Sequence, residues 1–244
     1  MKKYYYDLHI HSCLSPCGDD EATPDSIAGM GELNGLNIMA LTDHNTCKNC
    51  PAFFEAARIH GILPIAGMEL TTAEDIHVVC LFPNLDSALE FQEEIEKHRM
   101  LIPNRTDIFG NQLICDSLDN VIGNEEYLLS NATDISLEQA PILAERFGGI
   151  CYPAHIDRDS NGIIAVLGMF PKTPEFACAE LHFREKKAEY SALCGMGEER
   201  LIISSDAHFL WDIKEQSDYL CLEDIPENAD NAGEYLIKYL RGLK

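Results

Sequence analysis

In this chain one short apolar run after another ends in histidine or a carboxylate. The stretches are Asp7-Leu8-His9-Ile10-His11-Ser12, Thr42-Asp43-His44-Asn45, Gly67-Met68-Glu69, Pro153-Ala154-His155 and Ser205-Asp206-Ala207-His208, and His77 opens a further run. Strands that are apolar throughout are buried on both faces. Helical patterns separate these runs, so the sequence predicts an α/β fold with a mainly parallel sheet covered by helices. The polar residues collect at the C-terminal ends of the runs, and those ends share one face in a parallel barrel. A doubly wound sheet gathers its site at a single crevice, whereas contributions from so many separate strands favour a barrel.

Strands are predicted over residues 4–10, 37–41, 62–68, 77–82, 149–153, 176–181, 200–204 and 219–222. A helix is predicted to open at Thr23, a capping residue with Pro24 in the first turn, and to run through Leu33. Others are predicted from residues 49–51 to near Gly61 and over residues 86–100, 136–147, 163–167, 184–193 and 231–240. The stretch 101–135 carries Gly110-Asn111, Asp119-Asn120 and Gly123-Asn124 as turn signals around short apolar pieces. It is expected to be a loop or hairpin insertion within a single domain spanning residues 1–244.

Charge limits the partners. The chain has 18 Lys and Arg against 41 Asp and Glu, a formal net charge of -23. No basic cluster beyond short pairs is visible in the sequence, so tracking along a long nucleic-acid duplex is not expected. A short phosphorylated substrate remains compatible, because bound cations reverse the local field. No apolar run approaches the ~20 residues that cross a bilayer, so no membrane partner is expected and the location is expected to be cytoplasmic. The ten cysteines are too sparse for a disulfide scaffold; Cys80, Cys151 and Cys178 read as buried small hydrophobes.

Imidazoles and carboxylates together suit first-row divalent metals. His9 and His11, two apart on a strand, point to one face, and Asp206 and His208 repeat that spacing near the other end of the chain. Glu69 ends a buried strand and needs a partner there, either a metal or an arginine. Asp7 and Asp43 are expected to hold histidine rings in orientation, although a plain structural carboxylate also fits Asp7. His60 and His98 sit at helix ends and fit poorly as ligands; His182 is expected near the site without ligating. Asp19 and Asp20, in the loop after His11, are either a surface turn or a source of one more ligand. Cys13, Cys17, Cys47 and Cys50 either meet on one loop face as a metal or redox site, or are separate loop thiols. Arg158 is the best candidate for holding an anion, ahead of Lys172 and Arg105.

Taken in order, these motifs resemble the PHP family, the polymerase and histidinol phosphatase domain, over nearly the whole chain. The likeness lies in the His9/His11 motif, Asp43-His44, Glu69, His77, His155 and Asp206/His208. The resemblance implies a distorted (β/α)7 TIM-like barrel carrying two or three divalent ions, commonly manganese, zinc or iron. It implies that His9, His11, Glu69 and Asp206 hold one ion. Glu69 would bridge to a second ion held by His77 and His155, and His44, His208 and a loop aspartate would hold a third. Relatives often carry Ser-Asp-Gly soon after the first histidine pair, but this chain has Ser15-Pro16-Cys17-Gly18-Asp19-Asp20. Asp20 is then the favoured loop carboxylate.

The expected function is a free-standing metal-dependent phosphoesterase, in which metal-activated water hydrolyses a phosphomonoester or a short nucleotide or oligonucleotide diester. Glu69, Asp206, His208 and Arg158 are its expected catalytic residues, with Arg158 stabilising developing charge. The expected partners are a small phosphorylated metabolite, a nucleotide or a short oligonucleotide. A histidinol-phosphate phosphatase, a metal-dependent amidohydrolase and a noncatalytic metal-binding module are the alternatives.

Overall fold

The computed structural model describes residues 1–226 and 229–242; positions 227, 228, 243 and 244 of the expected domain lie outside the described residues. The strands are β1 (Lys2–Ile10), β2 (Ile38–Leu41), β3 (Leu63–Thr71), β4 (His77–Leu81), β5 (Leu113–Cys115), β6 (Val121–Asn124), β7 (Ile150–Pro153), β8 (Ala179–Leu181), β9 (Leu201–Ile203) and β10 (Tyr219–Leu222). The helices are α1 (Pro24–Leu33), α2 (Cys50–Ile59), α3 (Leu85–Ile95), α4 (Thr106–Phe109), α5 (Gln139–Arg146), α6 (Ile163–Leu167), α7 (Lys187–Cys194) and α8 (Ala232–Gly242). Among the described residues no helix is long and apolar enough to cross a membrane.

One sheet has the order β10-β1-β2-β3-β4-β7, and β8 and β9 form a parallel pair. Two contacts bend these into a distorted barrel. The Ile156 backbone N–H just past β7 donates to Glu180 O in β8 at 2.9 Å, and Ile10 in β1 bridges Ala207 just past β9. β10 lies antiparallel against the start of β1.

The parallel pattern holds for β1, β2 and β3, but β4 runs antiparallel to both β3 and β7. The connection from Thr71 to His77 is too short for a crossover, so it folds back as a hairpin. Asp75 takes the left-handed conformation this turn requires, at φ 63°. The reversal matters for the site. It places His77, the first residue of β4, opposite Thr71 at the end of β3.

Side chains divide into two layers. Tyr6, Leu8, Ile38, Ile65, Val79 and Tyr152 face the barrel interior, where Leu236, Ile237 and Leu240 of α8 join them. Met39, Leu41, Met68 and Cys80 face outward, under Ile27 of α1, Phe53 of α2, Phe91 of α3 and Ala140 of α5. Along β1 the alternation is interrupted. Asp7 pairs with Met39 but Ile10 pairs with Leu41, so one extra residue bulges from β1. Leu8 faces inward and Ile10 outward. The bulge therefore lets His9 and His11 turn inward at the top of the barrel.

Residues 101–135 contain α4 and the β5–β6 hairpin. This segment is tied to the barrel by polar side chains. Asn45, at φ 50°, donates through Nδ2 to Leu129 O and Asn131 O at 2.6 and 2.9 Å and accepts from the Thr71 N–H at 2.9 Å. Asn49 accepts from Cys115 N–H at 3.0 Å. Asp119, in the hairpin turn, caps α1 by accepting from Asp25 N–H at 2.8 Å and Ser26 N–H at 3.2 Å. Thr23 makes no side-chain cap of its own and instead donates through Oγ1 to Asp119 at 2.5 Å.

Candidate metal centre

The bulge and the strand ends bring six imidazoles around Glu69 and Asp206. Glu69 Oε1 lies 3.3 Å from His9 Nε2, 2.9 Å from His77 Nδ1 and 3.1 Å from His155 Nε2. Glu69 Oε2 lies 3.3 Å from His11 Nε2 and 2.9 Å from His44 Nδ1. Asp206 Oδ1 lies 3.4 and 3.2 Å from His9 and His11 Nε2 and 3.7 Å from His208 Nδ1. Three sets converge closely: His9, His11, Glu69 and Asp206; His44, Glu69 and His77; and His11, His44 and His208. His155 and Asp206 adopt positive φ, 26° and 51°, a backbone cost of about 1–3 kcal/mol each that marks functional sites.

Surrounding groups fix which ring nitrogens carry protons. His9 Nδ1 faces the buried Glu180 carboxylate at 2.8 Å. An imidazole N–H donates to a carboxylate, so His9 donates from Nδ1 and turns Nε2 to the cluster. Ser15 Oγ donates to Asp43 Oδ1 at 2.7 Å, so it accepts from His11 Nδ1 at 2.9 Å. His11 therefore also turns Nε2 to the cluster. Asp43 is itself held by Ser12, whose N–H and Oγ each donate at 2.7 Å.

The two Nε2 atoms are 3.1 Å apart, with carboxylate oxygens around them. With the rings neutral all of these atoms are acceptors, and Glu69 Oε2, Asp206 Oδ1 and His44 Nδ1 are buried without a hydrogen bond. Against the cost of burial, the surrounding carboxylates push the basicity of His9 and His11 up, and Cys17 and Glu69 do the same for His44, so protons fill part of this space when no metal does. Such crowding of buried acceptors is costly unless a cation lies among them. Donors bound at about 2.0–2.2 Å to one ion sit roughly 3–3.5 Å from each other, which matches these spacings. The nitrogen and oxygen set suits zinc, manganese or iron. Burial opposes ionisation of Glu69 and Asp206, yet His77, His9 and His44 hold Glu69 well below the usual carboxylate range, and His9 and His11 do the same for Asp206.

Arg158 enters at the mouth. Its guanidinium lies 2.6 Å from Asp206 Oδ2 and 3.2 Å from His182 Nδ1, and the side chain is 35% exposed. A cavity of about 370 Å³ is lined by His44, Glu69, His155, Arg158 and His208. A second, of about 550 Å³, shares Arg158 and Asp206 and reaches His182, Arg184 and Trp211. Arg184 and Lys214 both approach Asp218. Trp211 is 71% exposed and stacks on Phe209, with centroids 5.0 Å apart and planes at 18°.

Several expected residues lie elsewhere. Asp20 is exposed and accepts from Asn111 Nδ2 at 2.7 Å, because the loop turns its acids outward. Cys17 stands in its place, with Sγ 3.2 Å from His44 Nε2. The four cysteines do not meet. Cys47 and Cys50 both point at Gly67 O under the sheet, Cys13 lies beside Cys115, and Cys17 alone borders the cluster. Asp7 touches no imidazole, but accepts from the backbone of Ser205 at 3.0 Å and of Lys214 at 3.4 Å. His60 pairs with Asp25 and Glu32, and His98 with Asp134. Arg105 pairs with Asp107, and neither Arg105 nor Lys172 lines the two cavities. Glu180 was not anticipated. Its signal was present, an acid inside the apolar run Ala179-Glu180-Leu181, the same signal that singled out Glu69.

Comparison with known proteins bears on the family and the fold. A family profile described as "PHP domain" matches residues 7–209. A 5'-3' exoribonuclease of Haemophilus influenzae is 31% identical over 102 residues, covering 38% of this chain and 36% of that protein. The lesion-specific endonuclease Q of Pyrococcus furiosus superposes with a TM-score of 0.65 at 18% identity, covering 100% of this chain and 57% of that one. Endonuclease Q has also been seen with a 27-mer duplex bearing an abasic lesion. An amidohydrolase of Chromobacterium violaceum superposes at TM-score 0.59 and 19% identity, covering 92% of this chain and 93% of that one. The chain thus spans little more than half of endonuclease Q and about a third of the exoribonuclease. At these identities the superpositions speak for the fold. With the profile running from Asp7 in β1 to Phe209 just past the Asp206/His208 pair, the chain belongs to the PHP domain family.

Proposed function

We propose that this protein is a metal-dependent phosphoesterase acting on nucleotides or short oligonucleotides. The observation that carries the proposal is the buried knot of mutually facing acceptors around Glu69 and Asp206, with Arg158 at its mouth. His9, His11, Glu69 and Asp206 would hold one ion, and Glu69, His77 and His155 a second, while His44 and His208 lie beside both. Such ions supply Lewis acidity for phosphoryl oxygens and lower the pKa of water.

The chain's own groups do the rest. Asp206 holds Arg158 at 2.6 Å, so the guanidinium is oriented before substrate arrives. It can donate to a phosphoryl oxygen and to the charge that grows there as the ester bond breaks. Glu180 and Ser15 keep His9 and His11 in the tautomers that face the ions. His208 lines the same cavity and is partly exposed.

Two observations favour a nucleotide over a simple phosphorylated metabolite such as histidinol phosphate. The cavity beyond Arg158 is large, about 550 Å³, and Trp211 stands exposed on its rim. A nucleobase stacked there would gain about 1–3 kcal/mol. Arg158, Arg184 and Lys214, drawn from distant segments, also bring donors for phosphate oxygens to this cavity, each paired there with Asp206 or Asp218, a local charge pattern that net charge conceals. The net charge of -23 is therefore no ground for excluding duplex, and duplex belongs among the substrates tested.

The test is an assay of purified, manganese-supplemented protein against phosphomonoesters, mono- and dinucleotides, short single strands and duplexes. Preferential release of phosphate or nucleotide from the nucleic-acid substrates supports the proposal. Hydrolysis of amides with inert phosphoesters would replace it with an amidohydrolase. Tight metal binding without turnover on any ester would leave a binding module.

A further inference from the structure

We infer that Cys17 is a ligand, with His44 and His208, of a cation site that prefers a thiophilic ion such as Zn2+ over Mn2+ or Mg2+. The inference rests on the metal-holding reading of the neighbouring cluster and adds a sulfur donor to it.

Cys17 Sγ lies 3.2 Å from His44 Nε2 and lines the same cavity as His44 and His208. Independently of the thiol, His11, His44 and His208 converge closely enough to share an ion, and the rings of His11 and His208 stack at 4.2 Å. His208 turns Nδ1 toward Asp206 O at 2.9 Å, which leaves Nε2 as its free donor. His44 is buried, and it turns Nδ1 toward Glu69 Oε2 at 2.9 Å, which leaves Nε2 facing the thiol.

The loop carrying Cys17 is held in place. Ser15 N–H donates to Ser12 O at 3.0 Å, Gly18 N–H to Ser15 O at 2.8 Å, and Asp19 N–H to His208 O at 2.9 Å. A Cβ at Gly18 would lie 2.4 Å from Ser12 O, so only glycine allows this close turn. The last of these bonds joins the loop to His208 itself. The same turn directs the acids away, with Asp19 accepting from Glu21 N–H at 2.8 Å and Asp20 from Asn111. The position that a carboxylate would need is filled by sulfur.

Sulfur changes what the site selects. On binding, the thiol loses its proton to solvent and the thiolate bonds the ion. Thiolate with imidazole favours zinc or ferrous iron, whereas carboxylate favours manganese or magnesium.

The experiment strips the full chain with chelator and titrates it with Co2+, following the near-ultraviolet sulfur-to-cobalt charge-transfer band. The wild-type chain should develop the band. C17S should lose it while keeping the visible bands of cobalt bound elsewhere, and C194S, altered at another accessible thiol, should keep it. C17D should bind without the band and shift the Zn2+-to-Mn2+ preference toward manganese by about tenfold or more. A band that survives in C17S, or that never forms at saturating Co2+, would overturn the assignment. The band reports coordination and not turnover, so a chain that shows it yet cleaves no ester counts against the proposed reaction and for the thiolate.

Discussion

Glu180 Oε1 receives two protons' worth of hydrogen bonding at the back of the site, from His9 Nδ1 at 2.8 Å and from the His155 backbone N–H at 3.1 Å. One carboxylate thus orients two residues from distant segments, and the ion-facing atoms depend on a group that faces no ion. Replacing Glu180 with Gln keeps the shape but removes the charge that fixes His9. Metal affinity measured by chelator competition should fall about 10–100-fold, as for other groups that support a ligand. Unchanged affinity in a folded E180Q protein would show that His9 needs no such support.

Arg158 should matter for turnover more than for ion binding. R158A should lower kcat by about 10²–10³-fold, the usual cost of removing one preorganised donor to developing charge. Metal content should stay at the wild-type level, because Arg158 approaches Asp206 from the opposite oxygen, Oδ2. Loss of ions in R158A would instead make it a structural partner of Asp206.

Trp211 separates nucleotides from smaller esters. W211A should raise KM for a nucleotide by about 5–150-fold, from a stacking energy of about 1–3 kcal/mol, and leave KM for a phosphomonoester lacking a base unchanged. Equal effects on both substrates would remove stacking as the explanation.

Ion removal should loosen the fold. With the acceptors of Glu69, Asp206 and His44 buried and lacking hydrogen bonds, chelated protein should melt at lower temperature than protein with saturating Zn2+ or Mn2+. At a free ion concentration about 100-fold above Kd the gain is about 2.7 kcal/mol per site. Coincident melting curves with and without chelator would mean that no ion binds the folded state preferentially.

The hairpin insertion also contributes to stability. D119A removes the acceptor that caps α1 and should cost about 0.5–2 kcal/mol, seen as a lower urea midpoint with unaltered metal binding. No change in midpoint would show that Thr23 or solvent replaces it.

Most of the site was legible in the sequence because its ligands sit where apolar runs end, and burial makes histidine and acid at such places hard to explain otherwise. His9, His11, Glu69, His155 and Asp206 were found this way, and the structure gathers them. What was less legible depended on geometry between segments. Strand direction came from a loop too short for a crossover, so the antiparallel β4 and the placing of His77 beside Glu69 did not follow from periodicity alone. The β1 bulge left no mark in composition. Asp20 and Cys17 differ by three positions in one loop, and only its turn at Gly18 decides which faces the imidazoles. Arg158, Arg184 and Lys214 are far apart in sequence, so their shared cavity was hidden by the acidic total.

The central claim is that the acceptors around Glu69 and Asp206 surround ions. Anomalous diffraction from crystals of Zn2+- or Mn2+-loaded protein tests it most directly. The account predicts anomalous peaks about 2.0–2.2 Å from both Glu69 oxygens and from the His9, His11 and Asp206 donor atoms. A replete crystal with no peak there, or with peaks only at surface acids, would contradict it.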